Sequence, residues 1–100
     1  MKTKDQLINL GLTEAKADEV MLLESKMLER AVAFQFKKKD GTIRNAVGTL
    51  CRRLMKLSDG TFWQPKGEAK PEPVSVIRYF DCDKGDWRCF SVDSLIAVEG

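Results

Sequence analysis

Three kinds of side chain in this 100-residue chain are suited to chemistry: a run of cations, a few aromatics and a knot of aspartates. Lys37, Lys38 and Lys39 are contiguous, and Arg44, Arg52, Arg53 and Lys56 follow closely. Cations at this density neutralise phosphates, and an exposed aromatic beside them stacks a base. Trp63 is the leading stacking candidate, with Phe62 and Tyr79 as alternatives. Single-stranded nucleic acid suits such a set better than duplex, since no recognition helix is evident. The competing reading makes the lysine triplet a turn and an edge guard, because lysines on a strand edge block sheet-to-sheet aggregation.

The aspartates point away from catalysis. Asp81, Asp83 and Asp86 lie close together, as a carboxylate pair for acid–base work would. They also flank Gly85, and aspartates around a glycine are ordinary turn chemistry. The spacing lacks the terminal Glu of a calcium loop. Histidine is absent, which excludes imidazole acid–base chemistry, Ser-His-Asp triads and most zinc sites. No phosphate-binding glycine loop occurs. The expectation is a binding protein rather than an enzyme, without cofactor or metal.

Cys51, Cys82 and Cys89 make an odd set with no Cys-x-x-Cys, too few for a four-ligand zinc site. They read as small buried hydrophobes in a reducing cytoplasm. No apolar leader opens the chain and no run of about 18 apolar residues occurs, so neither export nor a membrane is expected.

The net charge of +2 is unevenly spread. Residues 1–30 carry −1, residues 31–70 carry +6 and residues 71–100 carry −3. A basic middle third fits an anionic partner.

The elements that position these residues follow from periodicity. Residues 1–30 hold few β-branched side chains and read as helical, broken by a turn at Gly11 and restarted with Thr13 as N-cap. Val20, Leu23, Met27 and Ala31 form an apolar helical stripe, and Glu24, Lys26, Glu29 and Arg30 fill the other side. That stripe covers one mouth of a barrel or serves as a contact for a homo-oligomer.

From Ala31 onward the period becomes two. Val32, Phe34 and Phe36 predict one strand, Asp40-Gly41 a hairpin turn, and Thr42 to Leu50 the return. Gly48 inside it predicts a bulge or sharp bend. Arg52 to Leu57 is ambiguous between strand and helical turn. Ser58 to Pro73 predicts a long loop, with Phe62 and Trp63 folding back as a cap. Val74 to Asp81 and Trp87 to Val92 predict a second hairpin, with Asp81 opposite Arg88 and Tyr79 opposite Phe90. Residues 94–99 supply a last strand. The fold class is therefore mainly β with an α part: a five-stranded SH3- or Sm-like barrel over residues 31–100, preceded by a helical segment over 1–30.

Two stretches carry a family resemblance. VAFQFKKKDGTIRNAVGTL, from Val32 to Leu50, and VIRYFDCDKGDWRCFSVDSLIAVE, from Val76 to Glu99, resemble small uncharacterised WYL-like proteins of bacteria and phages with an Sm-like SH3 barrel. The second is the more specific, through Asp81, Gly85, Trp87, Arg88, Phe90 and Asp93. The resemblance implies a basic and aromatic face that senses nucleic acid or a nucleotide-like ligand, and adds Arg88 to the binding set. The Trp-Tyr-Leu triplet would fall near Ser75 to Ile77 and is missing. Two arginines typical of the final strand would fall at Ser91 and Ser94.

Overall fold

The computed structural model describes residues 2–65 and 72–99. Two helices precede five strands. Helix α1 spans Lys4–Asn9 and α2 spans Glu14–Glu29. Thr3 caps α1 through a reciprocal box with Gln6, and Thr13 caps α2 by accepting from the Lys16 N–H at 3.2 Å. Such caps satisfy amide donors that the helix itself leaves open. Gly11 joins the two helices at φ +100°, in the left-handed region.

The strands are β1 Val32–Lys37, β2 Ile43–Thr49, β3 Val76–Asp81, β4 Asp86–Ser91 and β5 Leu95–Val98. They form one antiparallel sheet in the order β4-β3-β2-β1-β5. A short 3-10 turn over Val92–Ser94 carries the chain from one sheet edge, β4, to the other, β5. The mainly β architecture with an N-terminal helical part is as the sequence predicts.

One face of the sheet is the core. Val32, Phe34 and Phe36 of β1 alternate inward, meeting Ile77, Tyr79 and Phe90 of the second hairpin. Four aromatic rings touch there: Phe34 meets Tyr79 edge-on at 5.0 Å, and Phe36 stacks on Phe90 at 4.5 Å. Helix α2 closes this core with Ala17, Val20, Leu23 and Met27, all without solvent exposure. Burial at four positions on one helical face supplies most of what holds a helix of this length in place.

Several expectations need correction. Ala31 is exposed, because α2 ends before it. Glu24 is buried rather than solvated, with Lys2 Nζ 3.6 Å from its carboxylate and Glu72 sharing the same ammonium. Gly48 is not a bulge, since it pairs in register with Val32 and with Asp81. A glycine is needed there because the Tyr79 ring presses on it: an added Cβ would stand 2.6 Å from Tyr79 Cδ2. The irregularity lies instead between Gln35 and Phe36, where β5 pairs with β1.

The predicted long loop begins as a tight turn. The segment Arg52–Leu54 is a 3-10 turn, and Lys56 bridges to Phe62 around Asp59-Gly60. Asp59 holds that turn by accepting from the Thr61 N–H and hydroxyl. Residues 66–71 of the predicted loop lie outside the described residues. Phe62 is exposed, and Trp63 lies against Trp87 at 5.2 Å, with Phe80 behind. Trp63 therefore covers the face of the β3–β4 hairpin that turns away from the main core, instead of capping the barrel. Cys89 is exposed, and Cys51 and Cys82 are only half-buried, so none of the three is a fully buried hydrophobe.

Candidate anion-binding groove

The β1–β2 hairpin places the lysine triplet. Lys37 ends β1, and the chain turns through Lys38 to Thr42, closed by the Lys38 N–H donating to the Thr42 carbonyl at 2.8 Å. Gly41 supplies the left-handed residue at φ +90°. The Asp40 carboxylate accepts from the Thr42 hydroxyl and N–H, which holds its carboxyl below the usual range. Lys37, Lys38 and Lys39 are all exposed.

The β3–β4 hairpin places Arg88. The pairing is Asp81 opposite Asp86, Tyr79 opposite Arg88 and Ile77 opposite Phe90. The expected Asp81–Arg88 and Tyr79–Phe90 pairs are therefore displaced by two residues. The turn, Cys82 to Gly85, is centred one residue earlier than the expected pairs require, and moving a turn's centre by one residue moves every pair by two. Asp81 fixes that turn: its Oδ1 accepts from the N–H groups of Asp83 at 2.9 Å and Lys84 at 3.0 Å. Gly85 completes it at φ +64°.

Arg44, at the start of β2, reaches across the sheet to the other carboxylate oxygen of Asp81. Asp81 has no solvent exposure, and Arg44 is its charge partner. Among the aspartates, Asp81 thus serves structure: it ties the second hairpin to the first.

These elements leave an open groove of about 630 Å³ between the β1–β2 hairpin and the edge strand β4. Volumes of a few hundred Å³ are typical of small-ligand sites. Five cations line it, namely Lys37, Lys38, Lys39, Arg44 and Arg88, against two carboxylates, Asp40 and Asp93. Phe36, Tyr79 and Phe90 form its floor, and Cys89, Ser91 and Ser94 its far wall. The groove therefore has an apolar base and a cationic rim.

The β4 wall also offers backbone. Val92 N–H donates to the Ser75 carbonyl, so the hydrogen-bonded pairs of this ladder are those of Ile77–Phe90 and Tyr79–Arg88. The main-chain groups of Trp87, Cys89 and Ser91 then face outward from the sheet. Asp86 satisfies the Trp87 N–H at 2.8 Å. Cys89 and Ser91 belong to the groove lining.

The other predicted contacts do not line this groove. Arg52 and Arg53 are exposed on the 3-10 turn, Lys56 is exposed beside it, and Trp63 is half-buried against Trp87. The structure thus gathers Lys37, Lys38, Lys39, Arg44 and Arg88 and leaves Arg52, Arg53, Lys56 and Trp63 apart from them. Sequence reasoning missed Phe36, Phe90 and Asp93 as lining residues. The alternation that put Phe36 on the core side was the available signal, since the last inward residue of a strand meets the open end of the sheet.

A family model described as WYL_2, with an Sm-like SH3 beta-barrel fold, matches residues 20–96. The chain belongs to the WYL_2 family. A relative from Enterobacteria phage T4, an uncharacterised 11.5 kDa protein from the Gp31-cd intergenic region, is 34% identical over 94 residues. That match covers 88% of this chain and 84% of the phage protein. No solved structure matches the chain. The WYL_2 match begins inside α2 at Val20 and so includes Val20, Leu23 and Met27, the core-facing residues of its last turns. It also spans both hairpins that frame the groove. Ser91 and Ser94, the two positions where the resemblance led one to expect arginine, both line that groove.

Proposed function

We propose that this protein is a non-enzymatic small-barrel module that binds single-stranded nucleic acid through the groove between the β1–β2 hairpin and β4. One observation carries the reading: five cations converge on one concavity over an aromatic floor, against two carboxylates among the described residues that line it. Phosphates would sit along Lys37, Lys38, Lys39 and Arg88. Arg44 adds less charge, because Asp81 already neutralises it. A nucleotide-like anion shares the same chemistry and would fill the same volume.

The test is fluorescence anisotropy of labelled oligo(dT) and oligo(U) with the intact protein at low and moderate salt. Binding in which log K falls linearly with log salt supports the reading, since each neutralised phosphate releases counterions. Absence of binding at low salt overturns it.

A second reading, self-association through the protein's apolar surface, has its own observation. Leu22 and Leu28 of α2 are each nearly half exposed, although α2 already buries its opposite face in the core. A light-scattering mass of twice 11.3 kDa would support that alternative.

A further inference from the structure

We infer that the Tyr79 hydroxyl is the recognition point of the groove, donating a hydrogen bond to a phosphate oxygen of the bound nucleic acid. This rests on the nucleic-acid reading of the same groove and deepens it.

Four buried side-chain polar atoms lack a hydrogen-bond partner among the described residues: Glu19 Oε2, Glu24 Oε1, Tyr79 Oη and Trp87 Nε1. Of their residues only Tyr79 lines the groove. Its ring is fixed on several sides by Phe34, Phe36 and Phe90, and by the close approach of Gly48. Tyr79 has no solvent exposure, so the hydroxyl is held rigidly and hidden. A phenylalanine would satisfy every one of those ring contacts. The hydroxyl alone adds a buried polar group without return inside the protein, and such a group destabilises the fold unless something accepts from it.

The surroundings identify the acceptor as an anion. Arg44 and Arg88, both lining the groove, act electrostatically on the phenol, opposed by Asp81 and Cys89. Arg44 is held back by Asp81, whereas Arg88, on β4 directly opposite Tyr79, is exposed. A phosphate drawn in by Arg88 and the lysine triplet would bring an oxygen within reach of Oη. The neighbouring long side chains must shift to admit it, which they can do because Lys37–Lys39 and Arg88 are solvent-exposed. Burial raises the Tyr79 pKa, so the phenol stays protonated and able to donate.

The experiment compares the full chain with Tyr79→Phe and Arg88→Gln. Labelled oligo(U) is titrated across a salt series, and uridine monophosphate is added as competitor. Tyr79→Phe is expected to weaken binding about tenfold or more, the usual cost of losing a hydrogen bond to a charged group. It should leave the salt slope unchanged, since a neutral donor releases no counterion. Arg88→Gln is expected to lower that slope by about one. Competition by the monophosphate would mark a terminal phosphate as the bound group, and its failure to compete would mark an internal diester. The melting temperature of free Tyr79→Phe should equal or exceed that of the parent. Equal oligonucleotide affinity for parent and Tyr79→Phe overturns this inference and leaves the groove reading standing. A lowered melting temperature of the free variant also overturns it, because the hydroxyl would then have a partner within the protein. No binding by the parent overturns both.

Discussion

The Arg44 guanidinium donates to the carboxylate of Asp81 across the sheet, and no solvent reaches that carboxylate. Its second oxygen accepts from two turn amides, so both oxygens are engaged. Arg44→Met would leave a buried charge with backbone donors alone. Breaking one side of a buried pair costs about 3 kcal/mol or more. Urea unfolding should show a lower midpoint at unchanged m-value. An unchanged midpoint would mean that Arg44 does nothing for the fold.

Gly48 gives a purely steric prediction. An alanine methyl would meet Tyr79 Cδ2 at 2.6 Å and Phe34 Cε1 at 3.1 Å, both on rings held inside the core. Gly48→Ala should therefore destabilise by about 1–3 kcal/mol, the range for overpacked cores. Thermal unfolding checks it, and Gly60→Ala makes a useful contrast. At Gly60 no atom stands within 4 Å of the added methyl, and only the positive φ opposes substitution.

Glu24 predicts an unusual pH response. Burial is the main cause that raises its pKa, opposed by Lys2 and assisted by Glu72. A carboxyl whose folded pKa lies above its unfolded value stabilises most below the unfolded value, near 4.5, and that contribution is lost as pH rises. Glu24→Gln should thus match the parent at pH 4 and gain relative to it at pH 7, as read from denaturation midpoints. The hairpin carboxylates Asp40 and Asp59 have the opposite sign. Their threonine hydrogen bonds lower the pKa, so what they contribute is present above 3.8 and fades as pH falls.

Charge reversal separates the groove from the remaining cations. Lys37→Glu combined with Lys39→Glu should reduce oligonucleotide affinity by at least tenfold and flatten its salt dependence. Arg52→Glu with Arg53→Glu, on a turn outside the groove, should change affinity far less. Comparable losses from both pairs would point to diffuse electrostatic attraction in place of a site.

Trp63→Ala should uncover Trp87 and shift its emission to longer wavelength, since the two rings meet edge-to-face at 5.2 Å. The lost ring pair is worth about 1 kcal/mol. Phe62→Ser, at a side chain half exposed already, should leave both emission and stability in place.

Much of the fold was legible in the sequence because its signals were local. Thr13 as a cap, the alternation of Val32, Phe34 and Phe36, and the Asp40-Gly41 turn each act within a few residues. What misled was long-range. The register of the second hairpin depended on Asp81 accepting from Asp83 and Lys84, a side-chain device that places the turn. Glu24 looked solvated on helical periodicity alone, because its partner Lys2, and the Glu72 that shares that ammonium, lie far from it in the chain. Gly48 looked like a bulge or bend; it pairs without a bulge, and a ring from another strand sets its steric limit. The groove was half legible: the lysine triplet and Arg88 stand out as charges. Only the pairing of the strands brings them together over Tyr79.

Thr49 sits without solvent exposure where α2 meets the end of β2. Its hydroxyl lies 3.1 Å from the carbonyls of Met27 and Arg30 and also accepts from the Cys51 N–H, while the Leu50 N–H donates to Met27 at 2.8 Å. Swinging the helix away would strand these groups in an apolar interior. Amide protons along α2 should consequently exchange with solvent on the same timescale as those of β1 and β2, through a single shared opening.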